Sequence, residues 1–384
     1  MKIAAIVTEY RVPAHADVIV GKFIKGFPID DGLLPPKVEI ASLYLDQIPP
    51  NDIGVKVAAE NNIPIYHSIP KALCLGGDEL AVDGVISIGE HGDYAFNEKG
   101  QHMYPRRFFF EQISGVMATS GRAVPVFSDK HLSYNWTNAK WMYDRTRELN
   151  IPFMAGSSVP LFWRDPWLEH EIDAPIEEAV MLSFGGIESY GYHGFEALQA
   201  MVERRRGGEK GIATVQCVEG DAVWKAGDEG LWSRDLAAAA VEEGGTKGGN
   251  MEEKCENPAA FLIEYNDGFK ATVLQLNGFA REWVYAARVD GQVQTTELTR
   301  WSDPHPSFSY LGLNIQEMFL TGEPQYPVER TLLVTGALDA LMDSRYRGHV
   351  RLETPHLAVK YQAPKNPPIR PTAPRAHGAS IVPF

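Results

Sequence analysis

Three things are scarce in this chain of 384 residues: cysteine, clustered positive charge and long apolar runs. Cys74, Cys217 and Cys255 lie far apart, form no CxxC pair and leave an odd thiol under any pairing. That excludes a disulfide framework and a thiolate metal site, and it fits a reducing, cytoplasmic setting. The formal net charge is -14 at pH 7, and the one basic run, Arg204-Arg205-Arg206, is flanked by Glu203 and Glu209. Nucleic acids and anionic membranes select clustered Lys and Arg, so neither is an expected partner. No basic segment leads an apolar stretch at the N-terminus, so neither a signal peptide nor a membrane span is expected.

With 44% hydrophobic and 22% charged residues, the chain is globular and long enough for two cores. Apolar runs at 2–7, 38–45, 63–66, 83–88, 123–127 and 151–156 alternate with helical patterns near His15, over 52–61, from Phe108 and from Asn135. This rhythm predicts an α/β chain with an N-terminal, doubly wound, parallel Rossmann-like sheet over residues 1–156. Pro160, Pro166 and Trp163-Arg164 mark a crossover into a second unit, residues 157–362. There a strand at 178–184, alternating patterns in 212–226 and 259–300, an Asn266-Asp267-Gly268 turn and a closing helix over 328–342 predict an α+β domain with an open, mostly antiparallel sheet. An exposed face of that sheet predicts a homo-dimer or tetramer. The glycine-rich stretch 242–250 reads as a mobile loop, and residues 363–384, with six prolines, as an extended arm.

In an open α/β sheet, ligands bind beyond the C-terminal ends of the strands. Asp129-Lys130-His131 follows the run ending at Phe127, which places a lysine at that edge. The strand at 83–88 delivers Gly89-Glu90-His91-Gly92-Asp93-Tyr94 to the same edge. Glu90, His91 and Asp93 suit either an acid–base pair or, with His193, a divalent ion such as Mn or Zn. Arg106 and Arg107 suit a carboxylate or phosphate clamp. Asp46 ends the second strand, where an acidic residue that binds a ribose is expected, although Asp is also an ordinary turn former. The first turn, residues 8–14, has no glycine. A dinucleotide-binding turn needs glycine to bring the backbone close to the pyrophosphate.

These segments resemble the glucose-fructose oxidoreductase and inositol dehydrogenase group (Gfo/Idh/MocA). Asp129-Lys130-His131 stands where that family carries Glu-Lys-Pro. Gly185-Gly186-Ile187-Glu188-Ser189-Tyr190-Gly191-Tyr192-His193 resembles its glycine-rich segment, with His193 matching the histidine and Ser189 standing where the family has Asp. The resemblance implies a sugar- or polyol-directed oxidoreductase using NAD or NADP. Lys130, His193 and His91 would be catalytic; Thr8, Glu9, Asp46, Glu90 and Lys130 would contact the cofactor; Asp93, Tyr94, His131, Arg164, Glu188 and Tyr190 would contact a carbohydrate. The glycine-free turn departs from the family pattern and implies atypical or weak nicotinamide binding. It favours the alternative of a redox-neutral, metal-dependent lyase, hydratase or epimerase of sugars, with Glu90, His91, Asp93 and His193 as ligands.

Overall fold

The first half of the chain builds a five-stranded layer. The computed structural model describes residues 1–30, 32–301 and 303–372; residues 373–384 of the expected arm lie outside them. Strand β1 (Lys2–Val7) leads to helix α1 (His15–Lys25), a small hairpin of β2 (Phe27–Ile29) and β3 (Gly32–Leu34), then β4 (Glu39–Leu45), α2 (Gly54–Glu60), α3 (Ile69–Leu73), β5 (Gly84–Ile88), α4 (Arg106–Ser120), β6 (Val126–Asp129), α5 (Trp136–Glu148) and β7 (Phe153–Gly156). The sheet order is β4-β1-β5-β6-β7, all parallel. The expected strand at 63–66 is reduced to one parallel bridge, Leu43 to Ile65. Pro64 interrupts that run and removes a ladder donor. Helices cover both faces, which is why β1 and β5 read as unbroken apolar runs: five of six and five of five residues are buried. Fully burying each Ile or Val of these strands contributes roughly 1.5–3 kcal/mol. Helix α5 starts where the Asn135 side chain accepts from Asn138 N at 2.8 Å.

The second sheet has eight strands. After a short 3₁₀ turn (Val159–Leu161) come β8 (Trp163–Asp165), β9 (Ile176–Ser183), α6 (Ser189–Val202), β10 (Ile212–Glu219), α7 (Asp221–Asp228), α8 (Arg234–Glu243), α9 (Met251–Lys254), β11 (Asn257–Tyr265), β12 (Lys270–Asn277), β13 (Trp283–Val289), β14 (Gln292–Thr299), α10 (Pro306–Thr321), α11 (Val328–Tyr346) and β15 (Leu352–Glu353). The order is β15-β10-β11-β12-β9-β13-β14-β8, antiparallel except for the β12/β9 pair. Phe195, Leu198 and Met201 of α6 and Leu333, Ala337 and Leu341 of α11 join one core with the sheet. On the other face Val223, Leu236, Ala237 and Ala240 of α7 and α8 pack on Val180, Leu182, Leu274 and Val284. That face is therefore partly covered. The loop at 244–250 is also tied down, with Gly245 O accepting from Arg281 N at 2.7 Å and Glu282 N at 3.1 Å.

Helix α11 joins the two sheets, packing against α5, α6, β7 and β10. Its Thr331 donates to Ala155 O at 2.7 Å, and its Thr335 accepts from Leu132 N at 3.2 Å. The segment after β6, which carries Lys130, is thus held from below.

Candidate active site

Strands β1, β5 and β6 end side by side, with α1 and the head of α6 facing them. A cavity of about 330 Å³ opens there, lined by His15, Glu90, His91, Lys130, Glu188 and His193, with Phe96, His102 and Tyr104 along one side. That volume lies within the roughly 300–1,000 Å³ of small-molecule sites.

Glu90 is the electrostatic centre. Its Oε1 accepts from Lys130 Nζ at 2.8 Å and its Oε2 from Arg106, whose side chain is itself buried. Burial alone would raise this carboxyl, but the Lys130 and Arg106 charges outweigh it and hold Glu90 well below the usual carboxylate range. His15 Nδ1 lies 2.6 Å from Asp129 Oδ2, and its ring meets His91 edge-on at 5.0 Å. Burial, then the neighbouring His15, pushes His91 down to about 4, so its ring is neutral near pH 7. The Lys130–His131 peptide bond is cis.

His91 has φ 70°, and Gly92 follows at φ 105°. A Cβ at Gly92 would approach Tyr94 Cε2 to 2.7 Å, so glycine is required for this turn. It swings the chain back to the end of β4, where Gln47 bonds the Asp93 backbone at 2.8 and 3.0 Å. The loop then returns along the cavity as a ladder of rings: Phe96 on His102 at 4.1 Å and His102 on Tyr104 at 4.0 Å. Phe96 is 63% exposed at the mouth, a flat apolar surface open to solvent.

From the opposite side α6 supplies His193. The Ser157 hydroxyl donates to Glu196 Oε2 at 2.5 Å, which leaves its oxygen to accept from His193 Nδ1 at 3.1 Å. The ring therefore carries its proton on Nδ1, and Nε2 is the basic atom. Burial, then Lys130, pushes His193 well below the ordinary histidine value. His131 stacks on Tyr192 at 5.0 Å, with Nδ1 2.7 Å from Ser133 O and Nε2 3.2 Å from Glu188 Oε1. Burial raises Glu188, but the His131 contact and the Arg106 and Lys130 charges outweigh it and lower it.

Lys130, His193, His91, Glu90, His131, Glu188 and Tyr190 thus share one cavity. Other expected residues do not join them. Arg164 is buried on β8, where it donates to Leu168 O and Glu169 Oε2, both at 2.9 Å, and serves packing. Asp93 is exposed and outside the lining. Tyr94 turns away to donate to Asp46 Oδ2 at 2.6 Å, while Tyr44 donates to Oδ1 at 2.7 Å. Arg106 neutralises Glu90 and Arg107 stacks on Trp141 at 3.9 Å, so the two form no clamp. Among the described residues no three His, Cys, Asp or Glu side chains are grouped to hold a metal ion. The ligand set expected from Glu90, His91, Asp93 and His193 is not assembled: Glu90 is committed to two cations, and Asp93 points elsewhere. Missed by the sequence reading were His15, Phe96, His102, Tyr104, Ser157 and Glu196. Only Glu196 carried a signal, a carboxylate three residues after His193 and so on the same helix face.

No family model and no curated protein matches this sequence. Solved structures do. GenD2 from gentamicin A biosynthesis, in complex with NAD, aligns with TM-score 0.58 and 14% identity over 92% of this chain and 96% of that one. The scyllo-inositol dehydrogenase from Lactobacillus casei with bound NAD(H) and scyllo-inositol gives 0.56 and 11%, over 92% and 98%. The aldose-aldose oxidoreductase from Caulobacter crescentus complexed with glycerol gives 0.52 and 13%, over 92% and 100%. The fold is that of the Gfo/Idh/MocA oxidoreductases.

That fold implies a nicotinamide dinucleotide, and the residues present do not fit its usual pose. Where glycines would admit the pyrophosphate, Thr8, Glu9 and Tyr10 are buried. Tyr10 O accepts from Ile53 N at 2.8 Å and Gly54 N at 3.2 Å, and a Cβ at Gly54 would come within 2.7 Å of Tyr10 Cβ. The Glu9 side chain, buried and paired with Arg11 at 2.6 Å, takes up further space in the turn. Asp46, expected to receive ribose hydroxyls, already accepts a tyrosine hydroxyl at each oxygen, and the two rings cover it. Thr8 Oγ1 donates to Glu90 O at 2.7 Å and braces the loop.

Proposed function

We propose that the protein is a carbohydrate-directed enzyme on the Gfo/Idh/MocA fold whose own residues move a proton to and from a sugar- or polyol-type substrate. The observation that carries this reading is the meeting of a neutral imidazole, His193, and a buried ion-paired ammonium, Lys130, in one cavity. Nε2 of His193 accepts a proton from a hydroxyl, or from a carbon next to a carbonyl. The Lys130 ammonium faces the oxygen on which negative charge develops. Glu90 and Arg106 fix that ammonium, and the outer face of Phe96, braced from behind by His102 and Tyr104, offers a flat apolar surface to the apolar side of a pyranose. Because the dinucleotide cradle is filled, the reaction favoured is redox-neutral: an epimerisation, isomerisation or elimination adjacent to a carbonyl.

A dehydrogenase reading is favoured by one observation, the NAD present in two proteins of the same fold. It requires NAD or NADP to bind here through contacts other than the first turn and Asp46. The two readings separate by incubating the protein in D₂O with a panel of aldoses, ketoses and keto-sugars without cofactor. The redox-neutral reading expects deuterium at a carbon next to the carbonyl, read by NMR. No exchange on any member, together with NAD(P)-dependent oxidation of one, would establish the dehydrogenase.

A further inference from the structure

The geometry points to His193, Ser157 and Glu196 as a proton relay whose end is the buried carboxyl of Glu196, reached through the Ser157 hydroxyl. This rests on His193 being the base of the cavity. The three groups form one unbroken line: His193 Nδ1 to Ser157 Oγ at 3.1 Å, and Ser157 Oγ to Glu196 Oε2 at 2.5 Å. Ser157 Oγ also accepts from Val159 N at 3.2 Å, which fixes the hydroxyl in place. Glu196 accepts further from Ser157 N at 3.1 Å and from Tyr192 OH at 3.2 Å. Gly156, at φ 130°, gives the carboxylate its path over the end of β7, since a Cβ there would lie 2.2 Å from Glu196 Oε1. A carboxylate that only anchored the Ser157 backbone would not need the hydroxyl it shares with the cavity histidine.

The transfer balances without an imidazolium. The substrate proton passes to His193 Nε2, the Nδ1 proton passes to Ser157 Oγ, and the Ser157 hydroxyl proton passes to Glu196 Oε2. Ser157 is restored, His193 ends neutral in its other tautomer, and Glu196 becomes a neutral acid. One negative charge has moved from Glu196 to the substrate oxygen beside Lys130. The reverse sequence returns the proton, so a single chain serves both as base and as acid.

The surroundings suit this. Burial raises Glu196, offset in part by Ser157 and by Arg330. Burial and Lys130 lower His193, so the two shifts run in the direction that eases transfer of a proton from the ring to the carboxyl. The charged or titratable groups around Glu196 are Arg330 of α11, which is paired with Glu203, Tyr192 of α6, and Tyr326, whose ring lies under the Arg330 guanidinium at 5.2 Å. None of them touches the Ser157 hydroxyl.

The test needs no substrate. In the full chain labelled with ¹⁵N-histidine, long-range ¹H–¹⁵N spectra at neutral pH should show His193 neutral with its proton on Nδ1. In Glu196→Gln the side-chain amide donates to Ser157, the hydroxyl turns to the ring, and the proton should move to Nε2. On acidification the wild type should make the same change before any imidazolium forms, and Ser157→Ala should abolish that response. An unchanged His193 tautomer in folded Glu196→Gln would overturn the relay. If that variant fails to fold, a wild-type His193 that goes directly to imidazolium on acidification, as it does in Ser157→Ala, overturns it equally. Deuterium exchange into a sugar that survives either result would leave the cavity base in place and remove only the relay.

Discussion

Replacing Glu90 by Gln keeps the shape of the side chain and removes one charge. Two buried cations, Lys130 at 2.8 Å and Arg106, then face a neutral amide. Breaking a buried ion pair by removing one partner costs about 3–5 kcal/mol. Arg106 retains the face of Tyr104 at 4.9 Å, which softens its share. Taking about 4 kcal/mol, and roughly 2–4 °C per kcal/mol for a domain of this size class, the melting temperature at pH 7 should fall by about 10 °C. The pH dependence carries a definite sign. Glu90 is held below its unfolded value, so its contribution is full above about pH 4.5 and is lost as pH falls through the folded value. Calorimetry of wild type and Glu90→Gln from pH 7 to pH 3 should therefore show two curves converging below about pH 4.5. His91, pushed down to about 4 in the wild type with the Glu90 charge pulling it up, adds an acid loss of its own that differs between the two proteins, so both are compared on a His91→Asn background where that loss is absent. Equal stability at pH 7, or a gap that does not narrow in acid, would refute the assignment of Glu90 as the ionised centre of the cavity.

Lys130→Ala should lower turnover, or the rate of deuterium exchange, by roughly 10²–10⁴ with the fold intact; unchanged turnover removes Lys130 from the mechanism. Fluorescence titration with NADH and NADPH should give no saturable binding in the micromolar range, because Glu9, Tyr10 and the two tyrosines on Asp46 occupy the cradle, and tight binding of either would refute that reading. Phe96→Ala should raise KM for a sugar by about 3- to 10-fold with little change in kcat, the effect of losing one stacking partner worth about 0.5–1.5 kcal/mol. A fall in kcat alone would place Phe96 elsewhere in the mechanism.

The strand-end rule and, for His193, the family resemblance indicated residues that the fold brings together. Lys130, Glu90 and His91 follow strand ends that periodicity locates, His193 opens the helix after the glycine-rich segment, and all four line one cavity. What periodicity does not give is the direction of a side chain after a turn. Asp93 and Tyr94 lie within four residues of Glu90, yet His91 and Gly92 in the left-handed region reverse the chain and send both toward β4. Arg164 shows the second limit. In sequence it resembles any arginine beside aromatic residues, and only the pairing of β8 with β14 buries it. His15 and Ser157 belong to the site through contacts with Asp129 and Glu196, which are 114 and 39 residues away. No local pattern encodes contacts of that range.

The filled cradle and the acid–base cavity have one structural origin. The loop after β5 supplies Glu90 and His91 to the cavity, and its next residues, Asp93 and Tyr94, close over Gln47 and Asp46. Opening the Asp46 side for a ribose would release Tyr94 and the Gln47 bonds, loosening the turn that aims His91 and the ring ladder. Thr8 Oγ1, on the glycine-free turn, donates to the Glu90 carbonyl at 2.7 Å and ties the second obstruction to the same residue. Restoring glycines to residues 8–14 alone would therefore leave Asp46 capped and would remove a brace from Glu90. The two departures from a dinucleotide site support each other through Glu90, and together they hold the Lys130–Glu90–Arg106 charges in place at the ends of β5 and β6.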